Sequence, residues 1–193
     1  VKGLELSKTS LDVTLDEADD PVTLKATVSP TDASDKTVVW MSSDEAVAKV
    51  DDKGVVTFIG QGSATITATA TNGTEETDDD VEATCEVIVN KPVDLTSITD
   101  GAIPDYVALT GTLGTNMKIS IAAGATVTLN DVSINADGGW TSGSYAGLTF
   151  EGDATVILKG VNKVTGFHQD YPGIYVTPGS TLTIKGDGQL EAS

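Results

Sequence analysis

The chain has 193 residues, enough for one large or two ordinary domains, and its 39% hydrophobic content can fill a packed core. No apolar run approaches the ~20 residues that span a bilayer, so no membrane insertion is expected. The net charge is −18 and every one of the 11 basic residues is Lys, a surface that repels nucleic acid and anionic lipid.

The acid is uneven: residues 1–90 carry a net −13 and residues 91–193 a net −5. The one Cys, Cys85, cannot close an internal disulfide. Val1 follows no Met and no basic-then-apolar leader, which reads as the start of a processed or trimmed chain.

Along residues 1–90, short runs alternate apolar and polar residues. They cover residues 11–15, 22–28, 37–40, 47–50, 55–58, 64–70 and 81–89, with turns at Pro30, at Asp51 to Gly54 and at Gly60 to Gly62. Period-2 alternation between turn residues predicts an antiparallel sandwich. Trp40 belongs to its core, and Cys85 shares a buried face with Ala83, Val87 and Val89 as a small hydrophobe. The acidic residues 75–80 read either as a solvated loop tip or as oxygen ligands for Ca²⁺, without the spacing of a preformed calcium loop.

The order Val38, Val39, Trp40, Ser42, Ser43, Asp44, Val47, Val50, then Gly54, then Gly62 with Ile66 and Ala68, then Cys85, resembles the bacterial immunoglobulin-like domain, group 2. The resemblance spans roughly residues 3–90. It implies a sandwich of about seven strands, without catalytic residues, serving as a spacer or adhesion module on bacterial surface proteins.

At residues 90–94, Pro92 is expected to end the last strand, which puts a domain boundary here: 1–90 and 91–193. Residues 94–118 read as entry strands around residues 106–109 that cap the second domain.

Beyond residue 118 one phrase recurs. Ile119, Ile121, Val127, Leu129 and Val132 return 29 residues on as Leu148, Phe150, Val156, Leu158 and Val161. They return 26 further on as Ile174, Val176, Leu182 and Ile184. Such a period means a solenoid in which like residues stack ~4.8 Å apart. Without gaps, the columns are 127/156/182 inward and Thr126/Thr155/Thr181 outward, with Gly124, Asp153 and Gly179 at one corner and Asp131, Gly160 and Gly186 at another. The strings around residues 152–160 and 173–188 resemble the carbohydrate-binding β-helix proteins of anaerobic bacteria. The fold class expected is therefore all-β: an N-terminal immunoglobulin-like sandwich plus a short right-handed parallel β-helix of about two to three coils. The latter is incomplete or capped by another copy, so a homodimer through its open end is one expectation.

The loops 135–145 and 165–172 fall on one edge of this stack. They carry Trp140, Tyr145, Phe167, His168, Asp170 and Tyr171, a mixture of rings, amides and carboxylates that suits the apolar face and polar rim of a sugar. The same rings could instead cover an open corner or meet a protein. His168 is the one His and lacks a paired carboxylate at fixed spacing, so no catalytic residue, metal or cofactor is expected. Three readings remain. The first is a non-enzymatic, secreted or cell-surface adhesion protein whose sandwich presents the β-helix to a host or extracellular glycan or surface protein. The second is a carbohydrate-binding module that uses the two loops. The third is a polysaccharide lyase fragment.

Overall fold

In a computed structural model of the chain, residues 1–15, 20–71, 80–99, 101–113, 117–135 and 144–193 are described. The chain divides into two compact units, Val1–Asn90 and Lys91–Ser193. Both are built of strands; among the described residues the one helical element is the 3-10 turn Leu95–Ser97, capped by the Asp94 carboxylate.

The first unit contains β1 (Gly3–Leu6), β2 (Ser10–Thr14), β3 (Val22–Thr23), β4 (Ala26–Ser29), β5 (Val38–Ser42), β6 (Ala48–Val50), β7 (Val55–Phe58), β8 (Gly62–Ala70) and β9 (Val81–Asp94) as far as Asn90. Strands β5, β8, β9 and β2 pair in that order, β3, β7 and β6 form a second sheet, and β1 pairs with β4. Between the sheets lie Leu24, Val56, Ile66, Cys85 and Val87, all buried. Burial pushes the Cys85 thiol up, in keeping with a packed hydrophobe.

Two expectations are corrected by the pairing. The run 22–28 is not one strand: Leu24 turns inward and gives its N–H to Gly54 O, while Lys25 N–H bonds the Ser7 hydroxyl. The chain thereby leaves β7 and joins β1, because one apolar run serves two sheets. The pairing is also not wholly antiparallel, since β2 runs parallel to β9. Trp40 is half-buried and lies over Gly54, whose φ of +77° and contact with the ring leave no room for a side chain.

The second unit takes the last residues of β9, then β10 (Ala102–Ile103), β11 (Val107–Leu113), β12 (Ile119–Ile121), β13 (Thr126–Ile134), β14 (Leu148–Phe150), β15 (Ala154–Lys159), β16 (Val161–Val164), β17 (Ile174–Val176), β18 (Leu182–Gly186) and β19 (Gln189–Ala192). Every pairing within it is parallel. One sheet runs β10, β12, β14, β17; the other runs β11, β13, β15, β18. Strand β16 follows β15 and pairs with β13 on one side and β19 on the other. Leu109, Leu129, Ile121, Phe150 and Leu148 fill the space between, all fully buried.

Pro92 does not end β9. It sits opposite Ala108, in a strand that continues to Asp94. Lys91 gives its N–H to Tyr106 O, so the pleat turns the proline nitrogen away from β11 and no ladder donor to β11 is lost. Residues 107–113 are likewise not only an entry segment, since β11 pairs with β13 along its whole length.

The register also differs. Val156 stands beside Ile184, not Leu182, and Thr155 beside Thr183, not Thr181. Two residues, Ser180 and Thr181, are taken up after the turn at Gly179, with Thr181 N–H bonded to the Asp153 carboxylate at 2.7 Å. At the other corner the shift is one residue. Gly111 stands opposite Val132, with Asp131 as an extra residue after Asn130; between Lys159 and Lys163 one more residue is added, which turns Val161 outward, and Gly111, Asp131 and Gly160 all have positive φ. Val161 is 63% exposed and the inward place goes to Asn162, fully buried. A one-residue slip exchanges the faces of a strand, whereas a two-residue slip preserves them.

Candidate functional site

Three glycines let residues 147, 166 and 173 pack closely against their neighbours beside β14 and β17. At Gly147 a Cβ would meet Val164 and the carbonyls of Thr165 and Gly173; at Gly166 it would meet the Tyr171 and Pro172 carbonyls; at Gly173, Val164 O and Ser193. Asn135, in the left-handed region at φ +46°, gives its side-chain N–H to Gly166 O at 2.8 Å and ties the base of the second loop to the rung beneath.

Of the six expected site residues, Trp140 lies outside the described residues. Phe167 is fully buried, its ring edge-on to Tyr145 at 5.3 Å, so it supports Tyr145 from within and presents nothing to a ligand. Tyr145, Asp170 and Tyr171 come together on the wall of one pocket of about 460 Å³. His168 stands beside it: its Nδ1 is 3.4 Å from Asp170 Oδ2 and takes the Asp170 N–H at 3.3 Å, and its ring meets Tyr171 edge-on at 6.2 Å. The turn is closed by Tyr171 N–H to His168 O.

Lys118, Thr149 and Tyr175 also line this pocket, with Ser144, Ala146 and Pro172. Ser120, Thr149 and Tyr175 are stacked in register on β12, β14 and β17, facing away from the core that Ile174 and Val176 join. The alternation that put Ile174 and Val176 inward already implied an outward Tyr175. Lys118 gives an N–H to Glu151 Oε1 at 3.0 Å. That hydrogen bond, with a second from Ser120, holds the Glu151 carboxyl below its ordinary range. Burial pushes the Tyr145 hydroxyl's pKa up. The result is a cavity with three phenol rings, the hydroxyls of Ser144 and Thr149, the Lys118 side chain and the Asp170 carboxylate on its wall. Among the described residues no group of three or more His, Cys, Asp or Glu could hold a metal, and residues 75–79 of the acidic run lie outside them.

Comparison with known proteins places the first unit. Residues 1–81 match the Bacterial Ig-like domain (group 2). An alpha-L-arabinofuranosidase of Bifidobacterium longum subsp. longum is 56% identical over 54 residues, 28% of this chain and 5% of that protein. A 3-O-alpha-D-galactosyl-alpha-L-arabinofuranosidase of the same subspecies is 53% identical over 49 residues, 25% of this chain and 4% of the enzyme. A lacto-N-biosidase of Bifidobacterium bifidum is 50% identical over 50 residues, 26% of this chain and 4% of the enzyme. The chain thus spans a twentieth or less of these relatives, and the likeness to the enzymes is confined to short Ig-like segments. Residues 1–81 are a bacterial Ig-like domain of group 2.

Proposed function

We propose that this chain is a non-catalytic, glycan-binding part of a secreted or cell-surface bacterial protein. Its Ig-like domain acts as the spacer, and its second unit is a short right-handed parallel β-helix. The handedness follows the rule for parallel crossovers, and the winding accounts for the all-parallel pairing. Adhesion is the consequence, through sugars on the surface that is met.

The observation that carries this reading is the pocket lined by Tyr145, Tyr171 and Tyr175. Phenol rings offer apolar faces for the C–H side of a sugar, while Thr149 and Asp170 can bond its hydroxyls. Asp170 is the one carboxylate among the described lining residues, whereas glycoside hydrolysis uses a pair. The relatives' names add support: the enzymes that share Ig-like segments with this chain act on arabinose-, galactose- or lacto-N-biose-containing glycans. Group 2 Ig-like domains occur in extracellular or surface proteins, and no helix among the described residues is long and apolar enough to cross a membrane.

The test is titration calorimetry of the full chain against neutral and acidic oligosaccharides chosen from a glycan array. Tyr171→Ala and Tyr175→Ala should each weaken binding about three- to ten-fold, the worth of one aromatic contact. Absence of binding to any glycan, or binding indifferent to both substitutions, rejects the reading.

A further inference from the structure

We infer that the tyrosine pocket selects uncharged sugars over uronates and other anionic glycans, because the Lys118 ammonium is already matched by Glu151. The inference rests on the glycan-binding reading above and names the class of sugar.

Lys118 and Asp170 are the charged side chains among the described lining residues. An anionic sugar would need Lys118 as its counter-ion. Lys118 is committed: it starts at the head of β12, and its Nζ reaches Glu151 Oε1, just beyond β14, at 3.0 Å. The stem therefore crosses the outward column of Ser120 and Thr149, which are neighbours in the ladder. The apolar stem walls the cavity while the charge is spent at its far end. Ser120 gives Glu151 a second hydrogen bond, which keeps the carboxylate ionised and the pair intact.

Asp170 stands on the wall with its side chain 73% exposed and so adds a negative charge at the mouth that solvent and salt screen in part. His168 is the other titratable group beside it, at 3.4 Å. The unit that holds this site, residues 91–193, carries a net −5. A carboxylate entering the pocket meets repulsion from Asp170 and from the general field, and must pull Lys118 from Glu151 to be paired. A hydroxyl-rimmed neutral ring meets neither cost. Half-exposed ion pairs are weak, so the selectivity is a matter of several-fold, not of absolute exclusion.

The experiment uses the full chain and two matched probe sets, neutral oligosaccharides and the corresponding oligouronides, titrated at low salt and at physiological salt. Neutral probes should bind about five-fold or more tightly at low salt, and the gap should shrink as salt screens Asp170. Glu151→Gln frees Lys118 and should raise oligouronide affinity about three- to five-fold, the scale of one exposed pair. Its thermal unfolding is recorded alongside to show that the fold is kept. Oligouronides binding as tightly as neutral probes, or a folded Glu151→Gln variant with unmoved oligouronide affinity, overturns the selectivity while glycan binding stands. Binding of neither set rejects the glycan-binding reading and the inference with it.

Discussion

Asn162 joins three rungs of the second unit through one side chain: its Oδ1 accepts the Val132 N–H at 3.0 Å. Its Nδ2 donates to Lys159 O at 2.9 Å and to Gln189 O at 3.1 Å. The residue is fully buried and fills the inward place left when Gly160 turns Val161 to solvent. A buried amide is stabilising only while all its partners are met.

Asn162→Ala leaves a donor and two acceptors unmatched in the interior. A loss of about 2–4 kcal/mol is expected. Asn162→Leu should not restore it, because volume is refilled and the backbone partners are not. Urea unfolding followed by circular dichroism measures both. A loss below about 0.5 kcal/mol for Asn162→Ala would show that water replaces the amide freely.

Two left-handed glycines separate conformational cost from collision. Gly124, at φ +80°, has open space where a Cβ would stand, so Gly124→Ala should cost only about 1 kcal/mol of backbone strain. Gly54, at φ +77°, would place a Cβ 2.5 Å from Leu24 O and 2.7 Å from the Trp40 ring. Gly54→Ala should therefore cost about 2 kcal/mol or more, with a visible change in tryptophan fluorescence. Equal losses at the two sites would mean that Trp40 moves aside without penalty.

Phe167 tests whether the pocket depends on its support. Phe167→Ala should lose about 3–5 kcal/mol, the range for a buried ring. Phe167→Leu should stay folded yet weaken glycan binding several-fold, because the edge contact that orients Tyr145 is lost. Unchanged affinity in the Leu variant would remove Tyr145 from the binding wall.

Acid should destabilise the chain from a known direction. The Asp51 carboxyl accepts the Val55 and Lys53 N–H groups, Asp94 that of Thr96, and Glu151 the Lys118 ammonium; each carboxyl is held below its ordinary value of 3.8 or 4.5. A depressed folded-state pKa means that the stabilisation is fully present above the ordinary value. It is lost as pH falls through the folded one. Melting temperature should therefore be flat from about pH 7 to 5 on account of these groups and fall below about pH 4. Asp51→Asn with Asp94→Asn should flatten that fall. An undiminished acid limb in the double variant would assign it to other carboxylates.

Much of this protein was legible in the chain itself, because alternation is a local property. Leu129, Leu158, Phe150 and Val176 each declare an inward face by their neighbours, and the Trp40 to Gly62 order declares the Ig-like sandwich. Tyr145, Asp170 and Tyr171, singled out from the sequence, line one pocket. What only the tertiary structure decided is how the rungs are aligned. Corner residues carry no periodic signal, so the extra residue at Gly160 and the two at Ser180 and Thr181 could be placed only by the hydrogen bonds of Asp131 and Asp153 on the preceding rung. Those bonds set Ile184 beside Val156, bury Asn162 in place of Val161, and so choose which side chains share a wall. Facing is written residue by residue, but register is a contest between distant backbones, settled when the strands meet.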